Sequence, residues 1–199
     1  MGRKAVEKER KPLSEKQKVW LGKLLPYFYE HGMQGPTMDD ISSYLGLSKA
    51  TIYNYYSSKD ELVHDALWFK LVDLERFRDI LFDEELDFIE RYYEGVKFFT
   101  ESLNGMSALY LNDLKVFFPN SWASVNLFRE KSVENIKRYY ELGITKEVFK
   151  PFNTDLAAAT DLIFFDMMID AKFLIQNRLR VNEAFEEYFN IKFNGILNK

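Results

Sequence analysis

The stretch from Thr37 to Glu61, TMDDISSYLGLSKATIYNYYSSKDE, constrains the fold most, because it contains signals for three helix starts. Thr37 precedes Asp40 by three residues and Ser58 precedes Glu61 by three, which is the spacing of a capping box. In a capping box, the two side chains bond backbone N–H groups that a helix start leaves without partners. The sequence therefore predicts helix starts at both positions.

Two short segments with helical character, MDDISSYL and KATIYNYY, flank the tripeptide Gly46-Leu47-Ser48. Gly46 fits the left-handed end of the first segment, and Ser48 fits the N-cap of the second. A tight turn with glycine between two helices is the layout of a helix-turn-helix, whose second helix enters the major groove of DNA.

Apolar residues in this stretch recur at helical spacing, so each short helix has one face for a core. The predicted core residues are Met38, Ile41, Leu45, Leu47, Ile52 and Tyr56. The rest of the second helix presents Lys49, Ala50, Thr51, Tyr53, Asn54 and Tyr55. A cation and hydroxyl groups suit phosphates, and short side chains and an amide suit base edges, so this surface is predicted to contact DNA.

Four segments of the stretch match a known signature in order and without a gap, over some 25 residues. They are TMDDI from Thr37, GLSK from Gly46, TIYxYY from Thr51 and SKxxL from Ser58. In this pattern the chain resembles the TetR-type transcriptional regulators. The resemblance is strong only in the N-terminal quarter, and the family shares no sequence beyond it, so no ligand residue can be carried over.

Membership of that family implies a homodimer that binds double-stranded DNA at a pseudo-palindromic operator, with repression more typical than activation. It implies an N-terminal three-helix helix-turn-helix domain, predicted here over residues 1–60, and a helical ligand-binding and dimerisation domain over residues 61–199. The second domain usually holds a small inducer. The DNA contacts expected here are Thr37, Ser48, Lys49, Ala50, Thr51, Tyr53, Asn54, Tyr55 and Lys59.

The rest of the chain shows no alternation of apolar and polar residues between hairpin turns, so the chain is predicted to be all-α. Helical periodicity and cap residues predict about nine helices. Pro119 and Gly143 are expected to end the sixth and the seventh of them. The predicted ranges are 14–31, 38–45, 49–56, 59–81, 86–103, 105–117, 121–142, 154–177 and 182–197.

Charge is distributed unevenly along the chain, whose net charge is −4. Residues 1–60 contain 10 Lys and Arg against 7 Asp and Glu, a net +3, and residues 61–199 contain the other 17 and 24, a net −7. A basic N-terminal part fits nucleic-acid contact there, although a chance fluctuation of a few charges would look the same. Residues 1–12 are interpreted as a solvated polar arm that adds at most a weak, salt-sensitive phosphate contribution.

Aromatic residues make up 17% of the chain, and many of them follow residue 86. With the implied inducer, they suggest a mostly apolar cavity in the second domain, with a few polar groups. Burial of Asp166 or Asp170 there would allow a cationic ligand, but most such aromatic residues are core and most aspartates are solvated. The predicted lining is Tyr92, Phe99, Tyr110, Asp113, Phe117, Trp122, Phe128, Phe165 and Asp166.

The helix predicted at 154–177 is apolar over much of its circumference, so it must be covered on several sides. The helix predicted at 182–197 carries one apolar stripe, formed by Phe185, Phe189, Phe193 and Ile196. Pairing of these last two helices with their symmetry mates is the preferred interpretation, and the family resemblance implies the same. The alternative, that both helices are simply core of a single chain, stays open at the level of sequence.

Catalytic and metal-binding patterns are missing from the sequence. The chain has no cysteine, and its two histidines, His31 and His64, have no further ligand at metal-binding spacing. With no phosphate-binding glycine loop or nucleophile motif, we expect no enzyme activity, cofactor or metal. The lack of cysteine, of a secretory signal and of a long apolar run predicts a cytoplasmic protein. The rival interpretation is a helical small-molecule-binding or scaffolding protein with a vestigial DNA-binding motif.

Overall fold

The computed structural model describes residues 12–194, and within that range helices are the only regular secondary structure, which confirms the all-α prediction. No helix in this range is long and apolar enough to cross a membrane. The predicted N-terminal arm and the end of the last predicted helix lie outside the described residues. Within residues 12–194 the helices are α1 (Glu15–His31), α2 (Met38–Leu45), α3 (Lys49–Tyr53), α4 (Lys59–Leu74), α5 (Arg76–Leu81), α6 (Phe88–Ser102), α7 (Ala108–Phe117), α8 (Pro119–Thr145), α9 (Thr154–Met168), α10 (Ala171–Asn177) and α11 (Val181–Asn194).

Side chains cap the helix starts of the N-terminal part as predicted. Ser14 and Thr37 each begin a complete capping box, before α1 and α2 respectively. Ser48 accepts a backbone N–H from the first turn of α3. Gly46, with φ 67° and ψ 33°, adopts the left-handed conformation that ends α2 at little cost for a glycine.

The start of α4 differs from the prediction in one bond. Ser58 Oγ accepts the Glu61 N–H at 3.2 Å, as expected of an N-cap. The Glu61 carboxylate, however, accepts the N–H of Ser57 at 2.7 Å instead of that of Ser58. The cap therefore reaches one residue further back than a capping box does.

Two predicted helices are each divided in the structure, so that about nine become eleven within residues 12–194. The segment predicted at 59–81 turns at Glu75, and this turn keeps both Leu74 and Phe77 buried. The segment predicted at 154–177 breaks at Asp170, whose carboxylate accepts the Phe173 N–H at 2.9 Å and caps α10. An aspartate can end one helix and start the next because its side chain replaces a backbone acceptor.

Pro119 and Gly143 have different roles from those predicted. Pro119 is the first residue of α8, where the missing N–H of a proline needs no partner. Gly143 lies inside α8, which continues to Thr145. A β-carbon at Gly143 would lie 2.5 Å from Phe149 Cε2, so the glycine permits the close approach of that ring.

Helices α1 to α4 pack around one small core that supports the helix-turn-helix. Ile41 of α2, Ile52 of α3 and Tyr56 after α3 are buried in it, as predicted. Gln17 Nε2 donates to the Tyr56 hydroxyl at 3.3 Å and so joins α1 to the end of the motif. Helix α4 packs against both α1 and α8, and it therefore connects the motif with the rest of the chain.

Helices α6 to α11 pack around an aromatic core. Phe99 of α6 lies against Phe165 of α9 and Phe185 of α11, with ring centroids 6.3 Å and 5.2 Å apart. Phe185 and Phe189 are buried within the chain, so these two members of the predicted stripe belong to the core of one chain, whereas Ile196 lies outside the described residues. Helices α9 and α10 instead carry the exposed apolar side chains of Leu156, Ile163, Met167 and Ile175.

Candidate nucleic-acid interface and ligand cavity

The surface of α3 holds side chains that were predicted to contact DNA. Lys49, Ala50 and Tyr53 are exposed on this helix. The helix is only five residues long, shorter than predicted, and Asn54 and Tyr55 lie in the turn that follows it. Those two side chains are exposed as well, so all five are accessible from solvent.

Hydroxyl groups and an ion pair fix the N-terminus of α3. Ser48 Oγ accepts the Thr51 N–H at 3.1 Å and lies 2.8 Å from Thr51 Oγ1, and Thr51 is half-buried. The ammonium group of Lys49 pairs with Asp39 of α2. These contacts hold the first turn of α3 against α2 and set the direction of Lys49.

Tyrosine rings of the motif lie on aromatic residues of α1. Tyr55 packs edge-on against Trp20, with ring centroids 5.0 Å apart, and Tyr44 of α2 stacks on Tyr27 at 4.3 Å. Tyr44 remains half-exposed, so its phenol adds another accessible hydroxyl to the motif. The sequence prediction did not include Tyr44, because it assigned all residues within α2 to the support of the second helix or to solvent.

Lys59 and Thr37 also make bonds within the protein. Lys59 Nζ donates to the Gln34 carbonyl at 2.7 Å, and burial lowers the pKa of its ammonium group. Thr37 Oγ1 donates to Asp40 at 2.6 Å in the capping box, and this bond lowers the pKa of the Asp40 carboxyl group. An ammonium group has three N–H donors, so Lys59 keeps donors that can bind a phosphate.

A buried carboxylate of α7 holds the segment between α1 and α2. Asp113 Oδ2 accepts the backbone N–H groups of Met33 and Gln34, both at 2.9 Å. Because the Gln34 carbonyl accepts from Lys59, this segment joins α1, α4 and α7. Asp113 was expected in the ligand cavity, but its carboxylate lies here because two backbone N–H groups bind it.

Comparison with known proteins places the motif in a family. Residues 27–66 match the family described as bacterial regulatory proteins, tetR family. The uncharacterized HTH-type transcriptional regulator YvaF of Bacillus subtilis (strain 168) is 24% identical over 161 residues, which are 80% of this chain and 85% of YvaF. The chain is a transcriptional regulator of the TetR family.

Two solved structures of bacterial regulators have the same fold as this regulator. The fatty acid degradation regulator FadR from Bacillus halodurans aligns with a TM-score of 0.70 at 15% identity, over 95% of this chain and 100% of FadR. The TetR-family regulator PfmR from Thermus thermophilus aligns with a TM-score of 0.63 at 20% identity, over 90% of this chain and 99% of PfmR. At these identities the likeness shows the fold alone.

A cavity of about 70 Å³ lies in the helical core of the regulator. Its lining comes from α4, α6, α7, α8, α9 and α11, and most of the lining side chains are apolar. This volume is well below the roughly 300–1,000 Å³ that is common for small-molecule sites. Four of the residues predicted to line a cavity do so: Phe99, Tyr110, Phe128 and Phe165.

The other residues predicted at the cavity lie elsewhere. Tyr92 borders two surface grooves instead, Phe117 is half-exposed, and Trp122 is packed outside the cavity. Asp166 is exposed and pairs with Arg129. Helical spacing identified these residues as members of a helix face, but it does not tell which neighbouring helix that face meets.

Two residues around the cavity have a buried donor without a hydrogen-bond partner, namely Tyr110 through its hydroxyl and Arg129 through Nε, but the surface of the cavity itself is apolar. Lys70 also borders the cavity and pairs with Asp73 at 3.3 Å. Sequence reasoning missed Lys70 and Arg129. The available signal was their spacing, because each lies three or four residues after an apolar lining residue, Leu67 for Lys70 and Val125 for Arg129.

The two histidines make contacts with neighbouring helices or rings. His64 Nδ1 lies 3.1 Å from Ser121 Oγ, which links α4 to α8, and the ring of His31 lies 4.6 Å from that of Tyr27. Within residues 12–194, no group of three or more His, Cys, Asp or Glu side chains could hold a metal ion.

Proposed function

We propose that this regulator is a ligand-responsive repressor that binds a pseudo-palindromic DNA operator as a homodimer. The observation that carries the proposal is the surface of α3, where a lysine, a tyrosine and small side chains are exposed above a buried support. The second helix of a helix-turn-helix is the element that enters the major groove. A regulator of bacterial genes meets its operator in the cytoplasm, which is where we place this protein.

The proposed DNA contacts divide by chemistry. Donors on flexible side chains suit phosphates, and small side chains or an amide suit base edges. The residues assigned to phosphates are Lys49, Tyr53 and Lys59. The residues assigned to base edges are Ala50, Thr51, Asn54 and Tyr55, and Thr37 and Ser48 complete the surface at the starts of α2 and α3.

Dimerisation is proposed to use the last helices of the chain. Exposed apolar side chains on α9 and α10, such as Ile163 and Ile175, support this proposal, because a contiguous apolar surface favours association. Helix α11 contributes less, since Phe185 and Phe189 are buried within the chain. A two-fold axis there would present two copies of α3 about 34 Å apart, one turn of DNA.

Two connections support a response to ligand. Helix α4 borders the cavity through Leu67 and Leu71 and begins beside the helix-turn-helix, so its displacement would change the spacing of the two α3 helices. Helix α7 borders the cavity through Tyr110 and Leu114, and its Asp113 holds the segment before α2. A ligand that parts these helices would weaken DNA affinity in the proposed mechanism.

Gel shifts with operator DNA test the proposed role of Tyr53. We expect Tyr53→Ala to weaken binding about tenfold or more for each half-site, because a hydrogen bond to a charged group contributes about 1.5–3 kcal/mol. Tyr93→Ala on α6 is the matched control, since Tyr93 and Tyr53 are both half-exposed. The control should bind like the wild type.

The salt dependence of binding tests Lys49. Loss of one phosphate contact makes the negative slope of log K against log salt shallower by about 0.9, hence by about 1.8 for the two copies in a dimer. We expect this change for Lys49→Met and none for Lys131→Met, which alters an exposed lysine of α8. Unchanged affinity of Tyr53→Ala together with an unchanged slope for Lys49→Met would remove the contact assignment. Strictly non-specific binding by the wild type would favour a helical binding protein with a vestigial motif.

A further inference from the structure

We infer that this regulator has a ligand site separate from the core cavity, in the groove between α1, α4 and α6, which we call the junction groove. The ligand class that fits it is an uncharged, flat aromatic molecule with one hydrogen-bond donor. Because the site is separate from the core cavity, the inference goes beyond the proposed ligand response. It depends on the position and size of the groove, on a backbone acceptor in α1, and on aromatic walls with balanced charge.

The junction groove has a volume of about 1000 Å³ and borders both parts of the chain. Helices α1 and α4 contribute Gly22, Leu25 and Trp68 to it, and α6 contributes Phe98. More of its surface is apolar than polar. Small-molecule sites commonly measure roughly 300–1,000 Å³, are mostly apolar, and often lie between domains. The junction groove therefore has room for a ligand without any movement of the helices, whereas the core cavity of about 70 Å³ does not.

A backbone carbonyl of α1 provides an acceptor at this groove. Pro26 lies inside α1 and has no N–H, so the Gly22 carbonyl lacks the donor that an α-helix supplies from four residues ahead. Gly22 and Pro26 are both exposed, and both border the groove. Glycine has no side chain to cover its backbone, so a ligand can approach this carbonyl closely. An N–H or O–H group on a bound ring replaces the N–H that the proline lacks.

Aromatic side chains form walls beside this acceptor. Phe69 lies next to Gly22, since a β-carbon on the glycine would be 3.8 Å from Phe69 Cε1, and Trp68 is 45% exposed. Helix α6 adds Phe98, whose ring centroid lies 4.9 Å from the Arg76 guanidinium carbon. All four of these side chains border the groove. Aromatic faces and edges bind other flat rings by offset stacking or edge-to-face contact, which favours an aromatic ligand here.

The charges around the junction groove are balanced. Three cations border it, Lys18, Lys70 and Arg76, and so do two carboxylates, Asp73 and Glu101. Lys70 and Arg76 both pair with Asp73, at 3.3 Å and 3.4 Å, and Lys18 pairs with a carboxylate one turn earlier in α1. Because charge of neither sign dominates this surface, it favours an uncharged ligand.

Isothermal titration of the full-length protein without DNA tests the ligand class. The probes are indole, 2-naphthol and 4-phenylphenol, each compared with the methyl derivative that lacks only the donor: 1-methylindole, 2-methoxynaphthalene and 4-methoxybiphenyl. We expect saturable binding of at least one probe, with one molecule per chain. Its methyl derivative should bind about 2- to 13-fold more weakly, the usual range for one hydrogen bond. The charged analogues 2-naphthoate and 2-naphthylmethylammonium should not bind more tightly than 2-naphthol.

Two substitutions in α1 locate the binding in the groove and keep the fold. Gly22→Leu places a side chain beside Phe69, where a β-carbon makes only an ordinary contact of 3.8 Å, and should weaken binding at least tenfold. Pro26→Ala restores an N–H to the Gly22 carbonyl, so the probe and its methyl derivative should then bind equally. Both variants should melt at the same or a higher temperature than the wild type, because leucine and alanine favour a helix more than glycine and proline do. Lys23→Leu changes an exposed residue of α1 that does not border the groove, and this control should bind like the wild type.

Each outcome decides the inference. Absence of binding across the series, wild-type affinity of Gly22→Leu, or tighter binding of a charged analogue would overturn it. Equal affinity of the wild type for a probe and its methyl derivative, or an unchanged difference between them in Pro26→Ala, would overturn the assigned acceptor and with it the ligand class. Gel shifts with operator DNA separate this site from the proposed function. Specific operator binding without binding of any probe removes only the junction site, and probe binding without specific operator binding removes only the proposed function.

Discussion

Removal of the Asp113 carboxylate should destabilise the regulator more than any surface change on the same helix. Asp113 is buried, and its Oδ2 accepts two backbone N–H groups, those of Met33 and Gln34, at 2.9 Å each. In Asp113→Ala both groups lose their acceptor. The two hydrogen bonds that hold the segment between α1 and α2 to α7 are then lost.

The magnitude follows from the burial of the two bonds. A buried donor that loses its partner costs about 1–3 kcal/mol. The bond from Met33 is buried and the bond from Gln34 is partly buried, so water can replace the second acceptor in part. We expect Asp113→Ala to lower the free energy of unfolding by about 2–4 kcal/mol. Asp113→Asn keeps an acceptor oxygen and loses the charge, so about 1 kcal/mol is expected for it.

Urea unfolding at a fixed protein concentration measures the difference, because the stability of a dimer depends on concentration. Asn112→Ala changes the neighbouring, exposed residue of α7 and should stay within about 0.5 kcal/mol of the wild type. Operator affinity should fall for Asp113→Ala and not for Asn112→Ala. If the unfolding free energies of the two alanine variants agreed within about 0.5 kcal/mol, the reasoning about this junction would be refuted.

Two further substitutions test other contacts of the fold. Gly143→Ala should lower the free energy of unfolding by about 1–2 kcal/mol in a thermal or urea experiment, because the added β-carbon would meet Phe149. An increase of the free energy of unfolding by about 1 kcal/mol, as at an open helix position, would contradict the close packing. Ile163→Glu should shift the protein from dimer to monomer in sedimentation velocity while its helix content in circular dichroism stays unchanged. Val19→Glu on α1 is the control, because the Val19 side chain is 57% exposed and that of Ile163 is 62% exposed. If the Ile163→Glu protein remained a dimer, the proposed interface would be excluded.

Local features of the N-terminal part could be predicted from sequence because few residues determine them. The starts at Ser14, Thr37 and Ser48 depend on a side chain and a backbone N–H three residues away. The left-handed turn at Gly46 depends on the missing side chain of that residue. Such short-range chemistry can be read from the residues involved, and for this reason these helix starts and this turn match their predictions, although α3 is shorter than predicted.

Helix breaks in the second part were harder to predict. Asp170 carries a readable signal, since its carboxylate caps α10, but the apolar residues around it suggested one continuous helix. Glu75 carries no such signal, because no side chain caps α5 and the turn depends on the packing of Leu74 and Phe77. The end assigned to Gly143 was wrong for a similar reason, because that glycine is required by the distant ring of Phe149.

The lining of the cavity shows most clearly what helical periodicity in a sequence cannot predict. Periodicity placed Phe99 and Phe165 on inward helix faces, and both border the cavity. It could not distinguish them from Phe117, which faces solvent, because spacing does not identify the opposite helix. Charges were harder still, since Asp166 is exposed and the cation that pairs with it, Arg129, borders the cavity. Which charged side chains come near the cavity therefore depends on long-range packing.

Selection of bound fragments from random double-stranded DNA, with the full-length regulator, tests the central claim that α3 lies in the major groove twice per dimer. We predict enrichment of an inverted repeat whose half-sites are centred about 10 base pairs apart. The Asn54→Ala protein should lose preference at particular bases, whereas Lys49→Met should select the same sequence with lower affinity. Enrichment of no sequence by the wild type, or of an unchanged sequence with unchanged affinity by both variants, would contradict the account.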